Sequence, residues 1–191
     1  MCEGKSTHCG CFADTKQQRS SCLPHKQCYN VNVKDVDNIS LTISTTGIQG
    51  GKNMEIKAVT DNDKKFVMSI DKHVDDTGYD NRVYTKSGYV IWEKGQRIGI
   101  MVHCVLWDNL PFMNLLFIKE AYRGKGFAKQ AIMSWENEMK NQGYRMTLIS
   151  TQVDEGAQHL YRKLGYVDCG GLVFNNTPFD QPMEMFLRKV L

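Results

Sequence analysis

The stretch Leu115-Leu116-Phe117-Ile118-Lys119-Glu120-Ala121-Tyr122-Arg123-Gly124-Lys125-Gly126-Phe127-Ala128 runs from an apolar segment through a basic, glycine-spaced turn into the start of a helical pattern. A strand that feeds a helix in this way brings unpaired backbone N–H groups and the positive end of the helix dipole to one spot, which is an anion site. Gly124 and Gly126 let the main chain approach a phosphate closely, and Arg123 and Lys125 add positive charge around it. A diphosphate is the natural guest. The P-loop fits less well, since it needs a Lys-Ser/Thr pair after four intervening residues and a glycine, and a dinucleotide fingerprint would need a third glycine at Lys129. A plain strand-to-helix turn with solvated charges is the competing reading, and the flanking segments have to decide.

Downstream, Gly126 to Gln142 places Phe127, Ala128, Ala131, Ile132, Trp135 and Met139 at helical spacing, with Gly143 at the C′ position. Met146 to Ser150 reads as a strand. Glu155 to Leu164 reads as an amphipathic helix through Ala157, Leu160, Tyr161 and Leu164, stopped by Gly165, and Tyr166 to Phe174 and Met183 to Leu191 read as closing strands. Upstream, Tyr89 to Trp92 and Arg97 to Leu106 are rich in Val, Ile, Tyr and Trp around Glu93-Lys94-Gly95-Gln96, a hairpin. A turn at Asp108-Asn109-Leu110-Pro111 leads into the strand Phe112 to Ile118. Met54 to Thr60 alternates like a strand, Asp61 is placed to cap a helix through Phe66, Met68 and Ile70, and a further helical stretch covers Asp76 to Thr85 as a lid or substrate wall. The order from Met54 is β-α-α-β-β-β-α-β-α-β-β.

Residues 1–53 differ in kind. Five of the seven cysteines (Cys2, Cys9, Cys11, Cys22, Cys28) fall there, no sustained period is present, and the segment ends in the breaker-rich run from Gly47 to Gly51, so poor order is expected. Cys9, Cys11, Cys22, His25 and Cys28 match no defensible zinc spacing, and no metal is expected. Gly50-Gly51-Lys52-Asn53-Met54 back-translates to codons that accommodate a GGAGG ribosome-binding site ahead of a start codon, which makes Met54 a candidate initiator in a bacterial gene. The domain is therefore expected over residues 54–191, still a comfortable single-domain length.

At 191 residues, with 41% hydrophobic and 24% charged residues, the chain has the composition of a globular protein and not of a disordered, fibrous or membrane-embedded one. The +3 charge, from 24 basic and 21 acidic residues without a long basic run, implies neither nucleic acid nor an anionic membrane as partner. No signal peptide or apolar span is evident, and a cytoplasmic location is the expected default. In a reducing compartment Cys104 and Cys169 are expected to be small buried hydrophobes.

Arg123-Gly124-Lys125-Gly126-Phe127-Ala128 resembles the R/Q-x-x-G-x-G/A signature of the GNAT acetyltransferase superfamily, set as there between an apolar strand and a long helix. Asp154-Glu155-Gly156-Ala157-Gln158-His159-Leu160-Tyr161-Arg162-Lys163-Leu164-Gly165-Tyr166 is similar to the family's N-x-x-A-x-x-x-Y element, with Asp154 where Asn is usual. The resemblance is motif-level from Leu115 to Tyr166 and extends in element order over residues 54–191. It implies an α/β (α+β) fold, a single domain with a mixed, mostly antiparallel sheet of six to seven strands flanked by four helices. It also implies acetyl-CoA as co-substrate, with backbone contacts from Leu116, Phe117 and Ile118 to the pantetheine arm and thioester. The pyrophosphate would fall to the run Arg123, Gly124, Lys125, Gly126, Phe127, Ala128 and Lys129. Splaying of the strand before the helix from the strand after it would leave the Ile118 N–H able to polarise the thioester carbonyl.

Acetyl transfer to an amine by direct attack needs a neutral amine, a polarised carbonyl and an acid for the departing thiolate. Resemblance and chemistry jointly nominate Tyr161, whose phenol (ordinary pKa about 10) can donate toward a thiolate (about 8.5). Its bland alternative is a core aromatic. Asp154 belongs with the cofactor contacts by resemblance, and with a helix cap or a Thr151-x-x-Asp154 capping box by spacing. Glu120, Asp108, Glu155, His103 or a water chain stand open as general base. His103 and Cys104 are strand neighbours pointing to opposite faces and cannot form a nucleophile–base pair. Trp107, Phe112, Phe117 and Trp135 either line an acceptor pocket or, as aromatics at strand and helix periodicity usually do, sit in the core. The expected acceptor is a small-molecule primary amine, with a protein N-terminus or lysine as the alternative, and the chain is expected to be a monomer or homodimer. A non-catalytic acyl-CoA-binding module and a metal-linked interaction protein are the rivals from other classes.

Overall fold

The computed structural model describes the backbone of residues 43–44 and residues 54–178 and 180–191. The expectations of poor order, of no zinc and of a start at Met54 fall on residues outside these, apart from Ile43–Ser44. That pair forms a two-residue strand, β1, against β2 (Met54–Ala58). The remaining strands are β3 (Gly88–Glu93), β4 (Gln96–Leu106), β5 (Leu110–Ile118), β6 (Met146–Gln152), β7 (Val167–Leu172) and β8 (Glu184–Val190). They form one sheet in the order β1-β2-β3-β4-β5-β6-β8-β7. Every neighbouring pair is antiparallel except β5 and β6, whose parallel pairing follows from the crossover helix between them. The seven longer strands match the expected mixed sheet, and β1 adds a short eighth ahead of Met54.

Among the described residues four helices cover the sheet: α1 (Lys64–Ile70), α2 (Asp76–Thr85), α3 (Phe127–Asn141) and α4 (Ala157–Lys163). Alternation along the strands divides the core in two. Ile91, Met101, Met113, Ile149 and Leu187 face α3 and α4 and pack with Phe127, Ala131, Ile132, Trp135 and Met139. Val59, Val90 and Ile100 face the other way, toward Val67 and Tyr79 of α1 and α2. Gly143, with φ 91°, closes α3: its N–H bonds the Lys140 carbonyl, and the Tyr144 N–H bonds that of Met139.

Several local expectations shift. Thr60, not Asp61, begins the first helical segment, because Asp63 reaches back to the Thr60 N–H (3.0 Å) and hydroxyl (2.7 Å), and a 3-10 turn over Asp61–Asp63 precedes α1. The β4–β5 turn lies earlier than Asp108-Asn109-Leu110-Pro111. Trp107 and Asp108 hold the left-handed conformation (φ 50° and 60°), the Asn109 N–H bonds the Leu106 carbonyl, and Pro111 lies within β5. Trp107 is consequently 80% exposed at a hairpin tip and belongs to neither pocket nor core. Cys104 and Cys169 are both exposed, against expectation. Cys104 lies on the opposite strand face from buried His103, and Cys169 sits on the edge strand β7, every residue of which is exposed.

Candidate acetyl-CoA and acceptor site

The site is made by a fault in the sheet. Val102 pairs with Leu115 and His103 with Met113, so Asn114 is an extra residue in β5. β6 pairs with β5 only at Phe112 and Met113, and beyond the bulge the two strands part. On the β4 side β5 stays closed. The Lys119 N–H bonds the Ile98 carbonyl at 2.8 Å, and a Cβ at Gly99 would collide with the Phe117 carbonyl oxygen. Because main-chain groups alternate sides along a strand, Leu116 and Ile118 then turn theirs into the gap. Arg123 Nε donates to the Ile118 carbonyl at 2.9 Å, which confirms that this carbonyl faces the open side. Phe117 presents its carbonyl to β4 and contributes to the gap through its ring, under the Arg123 guanidinium.

Beyond Ile118 the chain makes a 3-10 turn over Glu120–Tyr122 and enters α3 through two glycines in left-handed conformation, Gly124 (φ 72°) and Gly126 (φ 83°). Open space lies where their Cβ atoms would be, with nothing nearer Gly126 than Gln130 Nε2 at 3.9 Å. No side chain caps α3, so its first N–H groups face that space. This fits a pyrophosphate: a glycine cradle, a helix N-terminus and two cations. The cations are also built into the loop, Lys125 Nζ holding the Ala121 carbonyl at 2.7 Å as Arg123 holds Ile118. Phe127 is buried in the core and Lys129 is exposed on the first turn of α3, so their contribution to an anion there is through the main chain.

A cavity of about 830 Å³ occupies the gap. On one side it is lined by Leu116, Ile118, Ala128, Ala157, Leu160 and Tyr161, which pack with the α3–α4 core. On the other it reaches Leu115 and Phe117, which pack with the α1–α2 core, and His73 from the connection between those two helices. The cavity therefore passes through the sheet. Of the residues expected from sequence, Leu116, Phe117, Ile118, Arg123, Ala128 and Tyr161 line it. Gly124, Lys125, Gly126, Phe127 and Lys129 form the adjoining loop and helix start, and Asp154 is exposed and lines no part of it.

Tyr161 is 6% exposed and its ring meets that of Tyr166 at 6.2 Å. Burial, with the negative charge of Glu155 and Glu184, pushes its phenol up to about 12. It is thus held neutral and able to donate. Against a thiol near 8.5, complete proton transfer is uphill by about 5 kcal/mol, so the phenol serves the leaving sulfur chiefly as a hydrogen-bond donor. Asp154 caps nothing: the N-cap of α4 is Gly156, and no side chain caps the helix. Glu155 takes the place expected for it, accepting from the Thr151 hydroxyl at 2.5 Å and the Gln152 N–H at 3.3 Å.

Among the groups left open as general base, Glu155 alone lines the cavity. Asp108 sits in the hairpin turn and Glu120 is exposed in the 3-10 turn. His103 is buried between Tyr89 and Trp135, ring centroids 5.7 and 6.0 Å away, and burial pushes it down to about 4. Trp135 is core, and Phe112 packs on Phe186. Sequence reasoning missed His73, Asn114, Ser150, Gln152 and Glu184. Strand alternation would have placed Glu184 opposite Met185 and Leu187. For His73 no sequence signal exists, because it enters from a connection distant in the chain. Among the described residues no helix is long and apolar enough to cross a membrane, and no cluster of three metal-binding side chains is present.

Comparison with solved structures finds the same fold repeatedly. The chain is similar to Arabidopsis thaliana Naa50 in complex with the bisubstrate analogue CoA-Ac-MVNAL (11% identity, TM-score 0.63, covering 72% of this chain and 99% of that one). It is similar to a GNAT family acetyltransferase from Elizabethkingia anophelis with acetyl-CoA bound (20%, 0.58, 73% and 99%). It is also similar to the spermidine/spermine N-acetyltransferase SpeG from Vibrio cholerae (15%, 0.61, 72% and 92%). No curated protein matches in sequence. The Acetyltransferase (GNAT) family model matches residues 60–166, more than half of the chain, and with this sheet, bulge and glycine cradle the protein belongs to the GNAT acetyltransferase family.

Proposed function

We propose that this domain transfers the acetyl group of acetyl-CoA to a primary amine by direct attack on the thioester, and that the acceptor is a small molecule. The observation that carries the reading is the cavity passing through the sheet where β5 and β6 part, with the glycine cradle beside one end and polar groups at the other. Such a passage lets donor and acceptor meet from opposite faces without a covalent enzyme intermediate.

The N–H groups of Gly124 to Lys129 would hold the pyrophosphate, and the main chain at Leu116 and Ile118 the pantetheine arm and thioester. The Ile118 N–H, turned into the gap, would polarise the thioester carbonyl. The neutral amine attacks the carbonyl carbon, the C–N bond forms, and the C–S bond breaks as the tetrahedral species collapses. Nitrogen gives its proton to water or to Glu155, and the thiolate, steadied by the Tyr161 hydroxyl, leaves and is protonated. Asp154, exposed beside α4, is assigned to the cofactor's outer contacts by motif alone.

Thiol release from acetyl-CoA across a panel of small amines and an N-terminal peptide tests the reading. Wild type is expected to turn over at least one small amine. Tyr161→Phe should lower kcat by about 10- to 100-fold, with the Kd for acetyl-CoA changed by less than about threefold. Turnover on the peptide alone would transfer the reading to a protein acceptor. Tight CoA binding without release on any acceptor would replace it with a binding module.

A further inference from the structure

The two ends of the cavity differ in charge. Met185 and Leu187 of β8 lie in the α3–α4 core, so alternation puts Glu184 and Phe186 on the α1–α2 side of the sheet. Phe186 meets Phe112 there, and Glu184 stands across from Gln152 of β6, with both Glu184 and Gln152 lining the cavity. Glu184 is half-buried and forms no ion pair with a Lys or Arg among the described residues. The hydrogen bond it accepts, from Gln181 Nε2, is long at 3.5 Å. Glu155, the other lining carboxylate, is engaged by Thr151 and Gln152. Arg123, the one Lys or Arg of the lining among the described residues, directs its Nε to the Ile118 carbonyl in the gap.

A half-buried carboxylate without a cationic partner is costly unless the cation arrives with a ligand. A carboxylate on that ligand would find no free cation in the same place and would be repelled. We propose that Glu184 is the acceptor-recognising residue and that the preferred acceptor is an amine carrying a second cationic nitrogen, a diamine rather than an amino acid. This rests on the acetyl-transfer reading above. The reacting nitrogen enters the gap beside Ile118 and Tyr161, and the second ammonium rests against Glu184 at the mouth, with His73 on the opposing wall.

The test compares putrescine, n-butylamine and γ-aminobutyrate, three four-carbon amines that differ only in the distal group, with acetyl-CoA as donor. Wild type should prefer putrescine to butylamine by about tenfold or more in kcat/KM, the worth of a hydrogen bond to a charged group, with γ-aminobutyrate poorest. Glu184→Gln should bring the putrescine-to-butylamine ratio close to one, mainly through KM, and Glu184→Lys should favour γ-aminobutyrate. Because the readout is a ratio within one variant, partial misfolding does not imitate it. Calorimetry on protein loaded with CoA should show putrescine binding weakened about tenfold by Glu184→Gln. Wild-type preference for butylamine or γ-aminobutyrate, turnover of peptides alone, an unchanged ratio in Glu184→Gln, or no putrescine binding would each overturn the proposal. Failure of the acetyl-transfer reading looks different: acetyl-CoA itself then fails to bind, or no acceptor releases thiol.

Discussion

The face of the sheet under α3 and α4 is packed with large side chains from six strands and from both helices. The face under α1 and α2 has a small apolar cluster pinned by polar contacts: Arg82 to Asp71 (2.8 Å), Arg97 to Asp63 (2.9 Å) and the Tyr79 hydroxyl to the Thr60 carbonyl (2.7 Å). The first face carries the glycine cradle, Leu116 and Tyr161, and the second carries His73 and Glu184. The α1–α2 face buries less apolar area and is held instead by ion pairs whose carboxylates, Asp63 and Asp71, are themselves buried.

The difference is broken most severely at Trp135, fully buried beneath the sheet. Trp135→Ala should cost about 3–5 kcal/mol in chemical denaturation, whereas Val67→Ala on the other face should cost about 1–2 kcal/mol. Equal losses would show that the two faces are equally committed to stability. Function should divide the other way around the cradle. Gly126→Glu sets a carboxylate where the pyrophosphate would lie and forces a side chain into φ 83°, so affinity for CoA should fall about 100-fold. Stability should fall by only about 1 kcal/mol, and unchanged affinity measured by calorimetry would remove the cradle from the donor site.

A smaller, pH-dependent effect sharpens the contrast. His103 lies under α3, and burial holds it near 4 against an unfolded value near 6.5. Its folded pKa is the lower one, so the unfolded chain binds the proton first, and stability complete above 6.5 is lost as pH falls toward 4. Unfolding free energy should therefore drop by about 2 kcal/mol between pH 7 and 5, and His103→Phe, which keeps a ring between Tyr89 and Trp135, should remove this component. Urea titrations of both proteins at the two pH values check it. An identical drop in the variant would assign the acid sensitivity elsewhere, for instance to Asp71. Burial opposes ionisation of that carboxyl, but hydrogen bonds from Arg82 and the His73 N–H outweigh it and hold its pKa below the ordinary value.

Most of the local structure around the candidate donor site was legible in the sequence because its determinants are local. The Phe127-to-Met139 stripe fixes which side of α3 is buried, Gly143 and Gly165 end α3 and α4 at φ 91° and 90°, and two glycines two residues apart make the cradle. α2 runs from Asp76 to Thr85, the stretch its pattern indicates. Where local signals competed, the sequence misled. Asp61 and Thr60 are both good caps, and Asp63 chose between them by reaching back. Pro111 reads as a turn residue yet sits in β5 opposite Val105. Cysteine composition suggested burial for Cys104 and Cys169, but both are exposed, Cys169 on the edge strand β7.

By itself the sequence determined the order of elements, the cradle at Arg123 to Ala128 and the candidacy of Tyr161, because each depends on residues within one or two turns of one another. Only the tertiary structure decided that Asn114 is the bulge that parts β5 from β6, that the resulting cavity crosses the sheet, and that His73 and Glu184 face it from opposite ends of the domain sequence. Those are outcomes of register and of packing between segments far apart in the chain, which no spacing along it encodes. The anion site proposed for the opening stretch rests on local chemistry. What it is offered to is a product of the fold.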